Sequence, residues 1–201
     1  MGSTISRPDW PTVYFRLKMR IEAAGVDVRC QSLGPQTTGV FDGTSITTNT
    51  ECDFETRCHN MAHAFGHIVQ WSLDGPRFQS LYDELYVSKD RKEVDPDRLE
   101  HSLCVFREYE EEASAYAAGL LIETGNRATL PAFTLFARAD IEAIISYHRD
   151  GHAPVWQEFF SAWRNRIVQG GIQAPEFVPK AIPQFTPKQI AAQEVVRGVQ
   201  C

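Results

Sequence analysis

The feature that most constrains the fold is a change of hydrophobic period at Thr50. Between Val26 and Asn49 the chain runs in short β-rich pieces punctuated by Gly34-Pro35, Gly39 and Asp42-Gly43, with Val40, Phe41 and Ile46 as apolar contributors. Asp42-Gly43 is the tight-turn signal of a hairpin. Beyond Thr50 the apolar spacing becomes three-to-four and predicts helices over 53–73, 77–88, 95–123, 138–149, 154–169 and 186–199. Ahead of the strands, a proline followed by Val13, Leu17 and Ile21 predicts an opening helix over 11–24, closed by Gly25. Strands first and helices afterwards make the chain α+β: a small N-terminal antiparallel sheet packed on a mainly helical body, not a parallel βαβ sheet. At 201 residues it is long enough for one domain with a real core and a tight fit for two. The prolines at 175, 179, 183 and 187 predict an extended strap over 174–187, before the last helix.

Composition removes several classes of function. Twenty Lys+Arg against twenty-six Asp+Glu give a net charge of -6, and no basic run is long enough to follow a phosphate backbone, so nucleic acid is not an expected partner. Charges or prolines interrupt every apolar run before the ~18–20 residues a membrane span needs. The first residues lack a basic start followed by an apolar core, so the expected location is the cytoplasm, or a target cell reached by a signal-independent route. Five cysteines at irregular spacing, with no C-x-x-C pair, predict reduced thiols; only Cys52 and Cys58 are near enough in sequence to leave a bridge open.

The segment that carries chemistry is His59-Asn60-Met61-Ala62-His63-Ala64-Phe65-Gly66-His67. His63 and His67 stand four apart in a helical pattern, about one turn, so both imidazoles leave the same face and can converge on one cation. Such a pair also arises by chance on helix surfaces. His59 extends the row, but at ~1.5 Å rise per residue it lies ~12 Å from His67, too far for both to share one zinc with bonds of ~2 Å. It is read as a neighbour. In the later segment Arg107–Ile122, Phe106, Tyr109, Ala113, Tyr116, Ala117 and Leu120 form an apolar helix face with Glu110 on its border.

These two segments resemble the zincin metallopeptidases of the ImmA/IrrE type. HAFGH is similar to the H-E-x-G-H core of that family, and REYEEEASAYAAGLLI to its downstream E-x-x-A helix. Gly39–Ile46 is similar to the short strands that precede the zinc helix, so the resemblance covers roughly residues 36–123. It implies a zincin-like fold, a zinc cofactor, and His63, His67 and an acidic third ligand as the metal set. Matching E-x-x-A to Glu110–Ala113 selects Glu110, with Glu112 as the fallback. Ser114 falls where the family often carries a small polar group that orients a ligating histidine.

One departure matters for function. The family glutamate that deprotonates the attacking water is Ala64 here, and a methyl group takes no proton; such catalysis contributes ~100–10,000-fold, so a zinc-binding but inactive form is expected. Either a glutamate has been replaced, or the chain uses the fold only for binding. The oxyanion-stabilising group is expected among Tyr116, Tyr147, His148 and His152. The resemblance implies a zinc endopeptidase acting on a protein or peptide substrate, as a regulatory protease or a delivered toxin. The alternatives are a catalytically silent protein-binding module and a structural zinc protein. Oligomeric state is left open.

Overall fold

The computed structural model describes residues 8–35, 37–89, 95–151, 155–170 and 176–190, with the backbone alone over 82–89 and 167–170. Helix α1 (Trp10–Ala23) starts on Pro11 and buries Val13, Tyr14, Leu17 and Ile21, the stripe its spacing predicts. Three strands follow: β1 (Asp27–Gln31), β2 (Gly39–Phe41) and β3 (Ser45–Asn49). Then come α2 (Phe54–Lys89), α3 (Pro96–Glu123), a 3-10 turn, α4 (Leu130–Asp150) and α5 (Trp156–Gly170). The coarse class is therefore α+β, with a small sheet on a mainly helical body.

The sheet differs from the expected antiparallel one. β3 is central, antiparallel to β2 (Phe41 opposite Ile46) but parallel to β1 (Asp27 opposite Ser45), so the sheet is mixed. The hairpin predicted at Asp42-Gly43 is present. Its Asp42 carboxylate accepts the Thr44 and Ser45 backbone N–H groups and both hydroxyls. Those four donors outweigh the burial that would raise the carboxyl and hold it below the usual range. The parallel pair arises because the chain from Gln31 returns through β2 before forming β3, a crossover without a helix.

α2 bends at Asp74 (φ −147°, ψ 62°), two residues before Pro76, which is where the sequence placed the break between two helices. α3 begins on Pro96 behind Asp95, whose carboxylate caps the Asp97 N–H. α4 starts at Leu130, earlier than the expected 138: Pro131 lies in the first turn, where it has no helical partner to lose, and opens the helix. The strap is extended over 176–190 and tied at three points. Phe177 is buried, the Lys180 N–H donates to the Ala115 carbonyl, and the Ile190 N–H donates to the Asp42 carbonyl. Residues 186–190 are not helical as expected, and 191–199 lie outside the described residues.

The thiols of Cys30, Cys52, Cys58 and Cys104 are not bridged. Cys58 instead points its sulfur at the Trp10 carbonyl. The aromatics of α5 are half-buried: Trp156 stacks on Phe160 at 4.9 Å and packs against Phe136 at 5.5 Å. Trp71 is buried beneath α2, its indole N–H donating to the Tyr109 hydroxyl at 2.9 Å. Among the described residues no helix is long and apolar enough to cross a membrane.

Candidate metal centre

The centre is set by the antiparallel packing of α2 on α3. They approach closely at Gly66, where a Cβ would fall 2.1 Å from the Ala113 carbonyl oxygen, so only glycine lets the two backbones meet there. One residue along α2 and three residues before, His67 and His63 face α3 and meet Glu110 from its apolar border. All three are buried, at 3%, 5% and 2% exposure.

His63 Nε2 lies 3.0 Å from Glu110 Oε2, His67 Nε2 lies 3.3 Å from the same oxygen, and the two Nε2 atoms are 3.0 Å apart. Three ligand atoms bonded tetrahedrally to one cation at ~2.0–2.1 Å stand ~3.3–3.4 Å from one another, so the triangle has nearly the size such an ion requires. The three groups can hold a metal ion.

Outer partners fix how the rings face. The Gln70 amide nitrogen donates to the Tyr109 carbonyl and to Glu112, both at 2.9 Å. Its oxygen therefore faces His67 Nδ1 at 3.1 Å and must accept from it. A neutral His67 then presents a bare lone pair at Nε2. Ser114 Oγ stands 3.3 Å from His63 Nδ1 and can fix the second ring in the same way. Phe41 of β2 stacks on the His67 ring at 5.6 Å, 2° from parallel, and Tyr109 packs on it at 4.7 Å. Burial alone would raise the Glu110 carboxyl, but when the rings are protonated instead of metal-binding, the charge of His67 and hydrogen bonds from His63 and His67 outweigh it and hold the group well below the carboxylate range.

Of the sequence-predicted residues, His63, His67 and Glu110 come together. Glu112 does not: it pairs with Lys180 of the strap and with Gln70, which lowers its carboxyl despite partial burial. Glu111 pairs with Arg138 at 2.6 Å. His59 faces away into an aromatic pocket. Tyr116 lies under the strap, with the Lys180 ammonium 5.3 Å from its ring. Tyr147 and His148 sit in the last turn of α4. The His148 ring is 5.0 Å from Phe106, so the Phe106 and Tyr109 rings stand between it and His67. His152 lies outside the described residues.

Ala64 is half-buried and, with His63, lines a small, partly open cleft. Its other walls are β2, β3 and one acid that sequence reading missed, Asp140 of α4. Asp140 is 7% exposed. Burial pushes its carboxyl up to about 6, with His63 drawing it down and Glu110 pushing it further up. A signal was present: Asp140 is spaced with the buried Phe136, Ala137 and Ile141 on an apolar helix, a position where an acid is costly unless partnered or used. Gln70 was also missed, although it lies on the same face of α2, three residues past His67.

Compared with models of protein families, with curated proteins and with solved structures, the chain matches none.

Proposed function

We propose that this chain is a zinc protein of the zincin kind whose centre serves hydrolysis of a peptide bond. The observation that supports this most is the triangle of His63 Nε2, His67 Nε2 and Glu110 Oε2, all within 4.8 Å, with Gln70 and Ser114 behind the imidazoles. Two imidazoles and one carboxylate leave a fourth position, the donor set of catalytic zinc centres and not the closed four-ligand set of structural ones. Bound there, zinc would supply Lewis acidity, polarising a scissile carbonyl and making a water easier to deprotonate.

The chain's own residues supply the rest. The cleft is lined by His63, and its wall includes β2, an edge strand of the described sheet. An edge strand offers backbone N–H and C=O groups to an extended peptide, which favours a peptide as substrate. Position 64 presents a methyl group to the same cleft and contributes no proton transfer. That methyl is the observation favouring the second reading, a silent module that holds a peptide without cutting it.

Elemental analysis paired with an Ala64→Glu variant tests the reading. Zinc-loaded A64E incubated in a cell lysate is expected to generate new peptide termini, read by mass spectrometry, that chelator abolishes. Zinc bound with no new termini in any lysate contradicts hydrolysis and leaves the binding module; no zinc bound contradicts both.

A further inference from the structure

We propose that Asp140 is the proton acceptor of this site, supplying from α4 the carboxylate that residue 64 lacks. The proposal rests on the zinc-peptidase reading and adds to it a residue that the sequence motifs do not contain.

Placement carries the argument. One cleft is lined by His63 and Ala64 of α2, by residues of β2 and β3, and by Asp140 of α4. A glutamate at 64 would enter this space from α2; Asp140 enters it from a different helix. His63 and Asp140 line the same cleft, the charges of His63 and Glu110 both act on the Asp140 carboxyl, and Asp140 is not one of the three groups of the ligand triangle. Asp140 is 7% exposed, and the Trp156 indole N–H, which lowers its carboxyl, comes from α5 and not from the metal set, so the fold holds the acid at the cleft without making it a ligand.

In the step that follows, a water in the cleft gives one proton to an Asp140 oxygen as its own oxygen bonds to the scissile carbonyl carbon. When the C–N bond breaks, Asp140 returns that proton to the departing amine nitrogen. Water and amide are consumed, acid and amine are formed, and Asp140 ends as it began.

The test uses four zinc-loaded full-length proteins: wild type, Asp140→Asn, Ala64→Glu and the A64E/D140N double variant. Each is given a lysate-derived peptide library for cleavage, and acetohydroxamic acid in calorimetry. A hydroxamate binds the metal and needs a proton acceptor beside it, which gives a readout that does not depend on turnover. The expected results for D140N are unchanged zinc affinity, hydroxamate binding weaker by ~10-fold or more, and cleavage slower by ~100–10,000-fold. A64E/D140N recovers cleavage, because a carboxylate re-enters the same space from α2. If D140N fails to fold, Asp140→Ser is measured in its place.

The proposal is overturned if D140N binds hydroxamate and cleaves as wild type does. It is equally overturned if wild type is inert while A64E cleaves, and that result leaves the peptidase reading standing. If zinc binds and neither wild type nor A64E cleaves, the peptidase reading itself has failed, whereas equal hydroxamate affinity in wild type and D140N counts against Asp140 alone.

Discussion

Three histidines stand one turn apart on the same helix, and the protein treats them in two opposite ways. His63 and His67 have both ring nitrogens engaged, by Ser114, Gln70, Glu110 and each other. His59, equally buried at 3%, lies among Trp10, Phe133 and Phe136 at 5.1–5.9 Å, and its Nε2 has no hydrogen-bond partner among the described residues. Helical spacing brought all three to one side of α2; what faces them decided their chemistry. α3 brings an acid and a hydroxyl opposite 63 and 67, whereas α1 and α4 bring only rings opposite 59.

Removing a ligand should break the contrast most. His63→Ala or Glu110→Ala is expected to lower zinc affinity by more than the ~10–100-fold that loss of an outer partner costs, in competition with a chromophoric chelator, whereas His59→Phe leaves it unchanged. Next in size is Gly66→Ala, which forces a Cβ to 2.1 Å from the Ala113 oxygen. It is expected to cost about 3 kcal/mol by denaturant unfolding and to weaken zinc binding, because the helices that carry the ligands must separate.

Losing an outer partner sharpens the comparison further. Ser114→Ala and Gln70→Ala are each expected to weaken zinc by ~10–100-fold while leaving both imidazoles in place. The smallest effect distinguishes His59 by pH. Burial pushes its ring down to about 3, partly opposed by Asp53, so the folded protein keeps it neutral while the unfolded chain protonates near 6.5. The unfolded state thus binds the extra proton, and stability falls as pH drops from about 6.5 towards 3, at up to ~1.4 kcal/mol per pH unit. Urea unfolding across that range is expected to show a shallower fall in His59→Phe than in wild type; identical slopes would remove His59 from the account.

The same contrast explains what was legible in the sequence. The face of a helix follows from local spacing, so His63, His67 and Glu110 could be read before any tertiary contact was known. Gly66 belongs to the same motif, but its reason, contact with the Ala113 backbone, appears only when the helices pack. For Asp140 and Gln70 only the helix face could be read from spacing; their roles depend on which helix lies opposite. The parallel pairing of β1 with β3 escaped for a similar reason: turn signals fix the β2–β3 hairpin, but the choice of a third strand's partner is non-local. Pro131 misled because proline ends a helix in its middle and begins one in its first turn.

The most direct test of the central claim is X-ray absorption at the zinc edge of the protein loaded with one equivalent of zinc. The account predicts a nitrogen and oxygen shell near ~2.0–2.1 Å with the imidazole multiple-scattering pattern, lost in Glu110→Ala and His63→Ala. A sulfur shell near ~2.3 Å, or a spectrum unchanged by either substitution, would place the metal on the cysteines or elsewhere and contradict it.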